Sequence, residues 1–388
     1  MKTLFTSIGS LAMPAADFGV VETLLDAAFV VESGKITWLG KASDAPECDE
    51  VFDLAGKAVI PGFVDSHAHL IFDGDRAAEF SARMAGESYS AGGIKTTVAA
   101  TRAAGEDKLR ANLHKLVAEL HASGITHFEV KSGYGLDLET EVLSLRLAKE
   151  VTEDVTFLGA HVVPAGVDRS EYLDLVTGEM LQEVLPYAKW IDVFCDRGAF
   201  DLAETRRILE AGVKAGLRPR LHANQLENLG AIELAVEFDC ASVDHCTHLS
   251  ERDIELLAAS KTVATLLPGA EFSTRSAYPD AKRLVAAGVD VAIATDCNPG
   301  SSYTTSMPFC IAVAVREMGM TVPQALWAAT RGGAMALRND LGRLEVGASA
   351  DFVILDAPGY EHLAYRPGVQ VVLATYVAGK KVFGRDTN

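Results

Sequence analysis

The chain has 388 residues, 49% of them hydrophobic and 23% charged, with a formal net charge of −18. That length suits one large barrel with an accessory part and allows a core of substantial size. The negative balance makes nucleic acid and anionic membrane poor partners, and an anionic substrate would need a local cationic clamp. Six cysteines (Cys48, Cys195, Cys240, Cys246, Cys297, Cys310) lie without CxxC spacing. Such scatter fits reduced thiols in a cytoplasm better than a disulfide framework.

At the N-terminus, "MKTLFTSIGSLAMPA" has a lysine and a mildly apolar run, but Thr6, Ser7, Gly9 and Ser10 interrupt it. A strand is the better reading than a signal peptide. No stretch approaches the ~20 apolar residues of a membrane span. Next, "AAFVVESGKITWLG" places two β-rich runs around Ser33-Gly34-Lys35, a hairpin signal. The middle of the chain then alternates. Strand-like runs stand at "AVIPGFVDSHAHL", "ITHFEVKSGYG", "VTFLGAHVVP", "WIDVFCD", "RPRLHANQ", "CASVDHCTHL", "TVATLLPGA" and "VDVAIATDCNPG". Helical stretches such as "LETEVLSLRLAKEV", "LAETRRILEAGVKAG" and "PDAKRLVAAG" separate them. The C-terminus mirrors the start: "ADFVILDAP" is a strand, and "VVLATYVAGKKVFG" is a hairpin around Ala378-Gly379-Lys380.

The pattern predicts an α/β chain. Residues 58–344 form a (β/α)8 TIM barrel, and residues 1–57 and 345–388 join as a small β-sandwich domain built from both termini. A doubly wound open sheet is the runner-up, lowered by the lack of a GxGxxG loop after a strand.

In such barrels chemistry sits at the C-terminal ends of the strands. Those ends carry His67 and His69, then Lys131, Ser132 and Tyr134, then His161, His222 with Gln225, Asp244 with His245 and His248, and Asp296 followed by Asn298 to Ser301. Of ten histidines, at least six fall at or near predicted strand ends, which argues against scattered core histidines. A lone His161 or His248 is more often a structural hydrogen bonder than a ligand, and His114, His121, His127 and His362 take the structural reading. His67 and His69 differ: two apart on an extended chain, beside Asp65, their rings share one side. With His222 and Asp296 they supply three nitrogens and one carboxylate oxygen. That set suits one divalent ion, Zn²⁺ or iron (Fe²⁺/Fe³⁺), with a coordination position left for water. Lys131 invites a carbamylated, two-metal alternative. The fourth strand offers no lysine, so one metal is preferred.

"PGFVDSHAH", "HANQ", "DHCTHL" and "ATDCNPGSS" resemble the metal and substrate motifs of the amidohydrolase superfamily. "FDGDRAAEF", "KSGYGLDLETE", "LGAHVVP" and "NPGSS" are similar to the imidazolonepropionase family within it, nearly end to end and nearest its actinobacterial branch. The resemblance implies a cytoplasmic, homodimeric enzyme that opens 4-imidazolone-5-propanoate with water to N-formimidoyl-L-glutamate. It implies metal ligands His67, His69, His222 and Asp296. It implies substrate contacts from Arg76, Tyr134, His161, Gln225, Asn298, Gly300 and Ser301, and catalytic roles for His245, Asp296 and Gln225.

Elementary chemistry supports those roles. A planar guanidinium at Arg76 matches a propionate, though an ion pair with Asp73 or Asp75 is its ordinary reading. Backbone N–H groups at Gly300 and Ser301 suit the same anion. Tyr134, between two glycines, is a loop phenol able to donate. Some family members carry glutamate where this chain has Gln225. An amide orients a ring but takes no proton at neutral pH, which moves the base role to Asp296 or His245. Two rivals stand beside this reading. A cytosine deaminase-like enzyme would keep the metal set without needing Arg76 or the Asn298–Ser301 loop. A non-enzymatic scaffold would tend to lose the ligands, and all four are present.

Overall fold

A computed structural model describes residues 1–86 and 93–385. Residues 87–92 of the expected barrel and 386–388 of the expected terminal domain lie outside the described residues. The strands are β1 (Lys2–Pro14), β2 (Val21–Glu32), β3 (Lys35–Lys41), β4 (Glu50–Asp53), β5 (Ala58–Pro61), β6 (Phe63–Asp65), β7 (Ile125–Phe128), β8 (Val130–Lys131) and β9 (Val155–Ala160). They continue with β10 (Trp190–Cys195), β11 (Arg218–Pro219), β12 (Leu221–Ala223), β13 (Ser242–His245), β14 (Val263–Leu266), β15 (Val291–Ile293), β16 (Phe352–Leu355), β17 (Val372–Val377) and β18 (Lys380–Gly384). By its internal contacts the chain forms two compact units, 1–65 with 118–127 and 305–388, and 66–117 with 128–304.

In the first unit, the strands of both termini share one eight-stranded sheet, ordered β18-β17-β16-β5-β1-β2-β3, with β4 also paired to β1. Its two tight hairpins have the chemistry the sequence promised. Ser33 and Gly34 have φ of 51° and 78°, and Ala378 and Gly379 have 46° and 72°. Two left-handed residues in a row give the turn twist that matches paired strands. Alternate side chains face inward. Phe5 packs on Phe29, Phe352 and Tyr376 with ring centroids 5.2, 4.9 and 5.3 Å apart. Full burial of each such ring stabilises by about 1.5–3 kcal/mol.

The expected first barrel strand, 58–70, does not run straight through. Ala58–Pro61 pairs with β1 and β16 in the terminal sheet, while Phe63–Asp65 pairs with β7. The break has a steric cause. Pro61 has no N–H to continue a ladder, and a Cβ on Gly62 would sit 2.1 Å from Thr126 Oγ1.

In the second unit, β8, β9, β10, β12, β13, β14 and β15 lie side by side in a curled parallel sheet, with β11 paired to β10. Helices alternate with these strands, as parallel connections require. The helix Leu138–Ala148 is N-capped by Asp137, and Leu202–Lys214 starts with a capping box of Asp201 and Glu204. The segment His67–His69 bonds to both margins of that sheet. Lys131 N–H donates to Ala68 O at 2.9 Å, His69 N–H to Cys297 O at 3.0 Å, and Asp296 N–H to His67 O at 3.0 Å. Parallel strand ends are thereby brought to one face, and the polar strand-end residues come with them.

Glu271, on the helix Pro268–Thr274, is buried in this unit and accepts one bond, from Thr247 Oγ1 at 2.9 Å. Burial, only partly offset by Thr247, pushes its carboxyl from 4.5 up to about 8. The folded pKa lies above the unfolded one, so this group's contribution is fully present below about pH 4.5 and is lost as pH rises through 8. Glu271→Gln should therefore melt above the parent by a margin that widens between pH 5 and pH 8.5. Thermal unfolding across that range checks this, and a pH-independent margin would contradict it.

A candidate metal and substrate site

Segments at the strand ends and at one helix start in the second unit deliver the predicted side chains. The extended segment after β6 turns His67 and His69 to one side, with Nε2 atoms 3.3 Å apart. Asp296 Oδ1, just beyond β15, lies 3.5 Å from His67 Nε2 and 3.6 Å from His69 Nε2. His222, on β12, completes the set, and ligand atoms of the three histidines lie within 4.8 Å of one another. All four residues are at most 3% exposed. Two nitrogens about 2.0–2.1 Å from one tetrahedral ion would be separated by roughly 3.3–3.4 Å. The donor set therefore fits a metal ion.

Tautomers support the same reading. His67 Nδ1 donates to Asp244 Oδ2 at 2.7 Å, so its Nε2 carries a lone pair aimed at the cluster. Burial, then Lys131, holds His67 well below the ordinary imidazole pKa. Burial, then His67, does the same to His69. Neutral imidazoles are the ligating form. His222 turns its own Nδ1 to Asp192 Oδ2 at 3.0 Å, which directs Nε2 away from that carboxylate.

The backbone is strained where these groups are aimed. Asn224, His245, Cys246 and Asp296 have φ of 56°, 82°, 56° and 48°. Left-handed conformations cost non-glycine residues about 1–3 kcal/mol and concentrate at functional sites. Each sits just past or at the end of a strand, where it turns the chain and re-aims a side chain. His245 packs its ring 5.5 Å from that of His222 and 5.9 Å from that of His67. Burial, then His222, keeps it neutral well below the usual range.

One cavity opens onto this cluster. Arg76, Tyr134, His161, His222, Gln225, His245, Asn298 and Ser301 line it, together with Ile94, Val162 and Phe194. The sequence reading had singled out the first eight, and missed the three apolar residues, which look like ordinary core. His161 Nδ1 donates to Gly133 O at 2.9 Å, which turns Nε2 into an acceptor. Its pKa falls to about 3, through burial and then His222. Gln225 hangs its backbone N–H on Asp196 Oδ2 at 2.8 Å. A wider recess of about 570 Å³ shares Ile94 and Val162 and adds the cations Lys95, Arg102 and Arg197.

The loop expected to bind an anion is more committed than the sequence suggested. Asn298 Oδ1 accepts from Tyr134 OH at 2.7 Å, Gly300 N–H at 2.8 Å and Ser301 N–H at 3.4 Å. Ser301 Oγ donates to Asp296 Oδ2 at 2.7 Å. Gly300 lies against Arg76, where an added Cβ would come 2.2 Å from Nη1. Arg76 does form an ion pair, with neither Asp73 nor Asp75 but with Glu79. Nε and Nη2 donate to its carboxylate at 2.8 and 2.7 Å. The only sequence signal for Glu79 was its i+3 spacing at the start of the helix Ala77–Met84. His248 is exposed and outside the wall, and His121 and His362 bond backbone carbonyls.

Among known proteins, the amidohydrolase family profile matches residues 58–382. The chain is 56% identical over 386 residues to an imidazolonepropionase of Streptomyces griseus subsp. griseus, covering 98% of this chain and 99% of that one. It is 57% identical over 385 residues to the imidazolonepropionase of Mycolicibacterium smegmatis, covering 98% and 97%. Solved structures share the fold at low identity. Guanine deaminase from C. acetobutylicum, with bound guanine, superposes with a TM-score of 0.75 at 16% identity, covering 99% of this chain and 100% of that one. An adenosine deaminase from Xanthomonas campestris, with bound zinc, gives 0.73 at 20%, covering 98% and 92%.

The donor set predicts a metal stoichiometry. Titrating chelator-stripped protein with Zn²⁺ should saturate near one ion per chain and raise the melting temperature. His69→Ala should abolish both effects. Calorimetry and elemental analysis check this. Saturation at two ions, or none, would contradict the four-donor set.

Proposed function

The chain belongs to the amidohydrolase family, and from that premise we propose how its residues divide the work of one reaction. It hydrolyses the cyclic amide C–N bond of 4-imidazolone-5-propanoate to N-formimidoyl-L-glutamate, the third step of histidine degradation. The observation that carries the division of labour is that the donor cluster and a buried guanidinium share one cavity. A cyclic amide substrate with a carboxylate tail needs both.

In this reading Arg76 clamps the propionate. Glu79 holds the guanidinium by its Nε and Nη2, and Nη1 reaches the Gly300 side of the cavity. Tyr134 and Asn298 fix the loop that Gly300 and Ser301 belong to. His161 accepts from the ring through Nε2, and Gln225 orients the ring through its amide. His67, His69, His222 and Asp296 hold one divalent ion, zinc or iron, both compatible with a mixed nitrogen and oxygen donor set. When bound, such an ion lowers the pKa of water and polarises a carbonyl. Asp296 takes the proton of the attacking water as oxygen adds to the ring carbonyl carbon. Neutral His245 hydrogen-bonds the developing oxyanion. The C–N bond then breaks, and the proton held by Asp296 passes to the departing ring nitrogen.

The finer architecture belongs to the same proposal. The hydrogen bonds of Ala68 and its neighbours to Lys131 and Cys297 support closure of the parallel sheet into a (β/α)8 barrel within the expected span 58–344, whose first residues, Ala58–Pro61, pair instead in the terminal sheet. The shared terminal sheet supports a small β-sandwich domain from 1–57 and 345–388. Among the described residues no helix is long and apolar enough to cross a membrane. All six cysteines are free thiols, which agrees with a reducing cytoplasm. A homodimer rests on family resemblance, and light scattering tests it.

The deaminase rival is addressed by identity: the relatives above 50% are imidazolonepropionases, and the deaminases at 16–20% share the fold alone. Mass spectrometry of the product tests the reaction directly.

Losing a charge-assisted contact to a buried carboxylate costs about 2–5 kcal/mol. Arg76→Ala should therefore cut kcat/KM by roughly 30-fold or more. A neutral analogue without the carboxylate should be poor already and change little. Equal losses on both would mark Arg76 as merely structural. At matched metal occupancy, His245→Ala should lower kcat by at least about 100-fold. Gln225→Ala should act mainly on KM. The reverse pattern would move water activation to the β12 side.

A further inference from the structure

Beneath the donor cluster lie five charged side chains that ring opening does not use: Glu129, Lys131, Asp192, Arg220 and Asp244. None has measurable solvent exposure. Strand alternation explains their meeting. Arg220 and His222 are two apart, as are Glu129 and Lys131, so each pair points inward in successive layers. Lys131 Nζ lies 2.8 Å from Glu129 Oε1 and 2.7 Å from Asp192 Oδ2. That same Asp192 Oδ2 is 3.0 Å from His222 Nδ1, and Asp192 Oδ1 accepts the backbone N–H of His222 at 3.1 Å. Asp244 Oδ2, which accepts from His67 Nδ1, has Arg220 Nη2 at 3.5 Å and Lys131 Nζ at 3.7 Å. Arg220 is itself fixed by Ser66 O at 2.6 Å.

The ammonium therefore does not project towards the donors as a bridging ligand would; it is spent on two carboxylates. The group Asp192, His222 and Asp244 also brings ligand atoms within 4.8 Å. Lys131 already stands at both of those carboxylates, which argues against a second ion there.

We propose that Lys131 is a positioning residue for the metal, acting through Asp192 to hold His222 with Nε2 towards the other ligands. The inference rests on the reading that His67, His69, His222 and Asp296 bind the ion. Two close carboxylates, Glu129 and Asp192, would repel without the cation between them. Asp192 would then swing away, and His222 would lose its anchor. Outer partners of metal-bound histidines typically contribute 10–100-fold in metal affinity.

The test compares wild type, Lys131→Gln, Asp192→Asn and the double variant, each stripped and titrated with Zn²⁺ against a chromophoric chelator. Co²⁺ loading adds a visible spectrum that reports ligand geometry. Lys131→Gln should weaken Zn²⁺ by about 10–100-fold and change the Co²⁺ bands. The double variant should bind no worse than Asp192→Asn alone, because Lys131 works through that carboxylate. Should Lys131→Gln fail to fold by circular dichroism, the double variant, neutral at both positions, carries the comparison with Asp192→Asn. Wild-type Zn²⁺ affinity and an unchanged Co²⁺ spectrum in Lys131→Gln would overturn the proposal, as would multiplicative losses in the double variant. A wild type that binds no ion would overturn the metal reading itself, which is a distinguishable result.

Discussion

Three imidazoles and one carboxylate, those of His67, His69, His222 and Asp296, converge at the strand ends of this protein, each at most 3% exposed. His67 directs its one N–H to Asp244, and its Nε2 faces another imidazole nitrogen at 3.3 Å. Such an arrangement is stable only with positive charge at its centre, or with compensation close by. Buried charge left unpaired costs several kcal/mol per ion. The surrounding chemistry follows from that constraint: carboxylates outside the histidines fix their tautomers, and buried cations outside the carboxylates fix the acids. Burial raises a carboxyl pKa, yet Asp192 and Asp244 are held below the usual range, by His222 and Lys131 in one case and Arg220 and Lys131 in the other.

This layering explains why so many charges sit at the bottom of a protein core. Lys131 and Arg220 keep their charge despite burial, because Asp192 and Glu129 outweigh desolvation for one, and Glu129 and Asp244 for the other. A core of leucines would pack as well and fold more stably. It could not keep two imidazoles in one tautomer and one orientation. The left-handed backbone at Asn224, His245, Cys246 and Asp296 is a second expense of the same kind. Stability is given up locally to aim side chains, and packing elsewhere, such as the aromatic cluster around Phe5, offsets it.

Much of this was legible in the sequence, for definable reasons. His67 and His69 could be read because alternation on an extended segment is a local rule. The hairpins at Ser33-Gly34 and Ala378-Gly379 could be read because their turn type depends on two residues. His222 and Asp296 could be placed because strand ends in alternating α/β chains share one face. Pairing across strands was not legible. Asp192 sits in an unremarkable "WIDVFCD", and only neighbouring strands bring it to both Lys131 and His222. Glu79 looked like a helix surface acid, and only the fold shows that it holds Arg76. The split at Gly62 was hidden for the same reason, because Thr126, which crowds it, is more than sixty residues away in sequence.

Fold and chemistry separate at a definable boundary. Deaminases at 16–20% identity share this architecture, so the architecture alone does not choose a substrate. The donors occupy strand ends, which the architecture provides. The wall that would select a carboxylate-bearing ring hangs from loops, and it converges on one atom. Tyr134 and the backbone of Gly300 and Ser301 all donate to Asn298 Oδ1. Gly300 in turn leaves room for the Arg76 guanidinium, and the Ser301 hydroxyl reaches the second oxygen of Asp296. The proposed anion clamp and the proposed base are therefore mechanically joined through the loop positions Asn298, Gly300 and Ser301. A substitution that moved the clamp would move the base with it. In the proposed mechanism, specificity and proton transfer are thus one constraint on this chain.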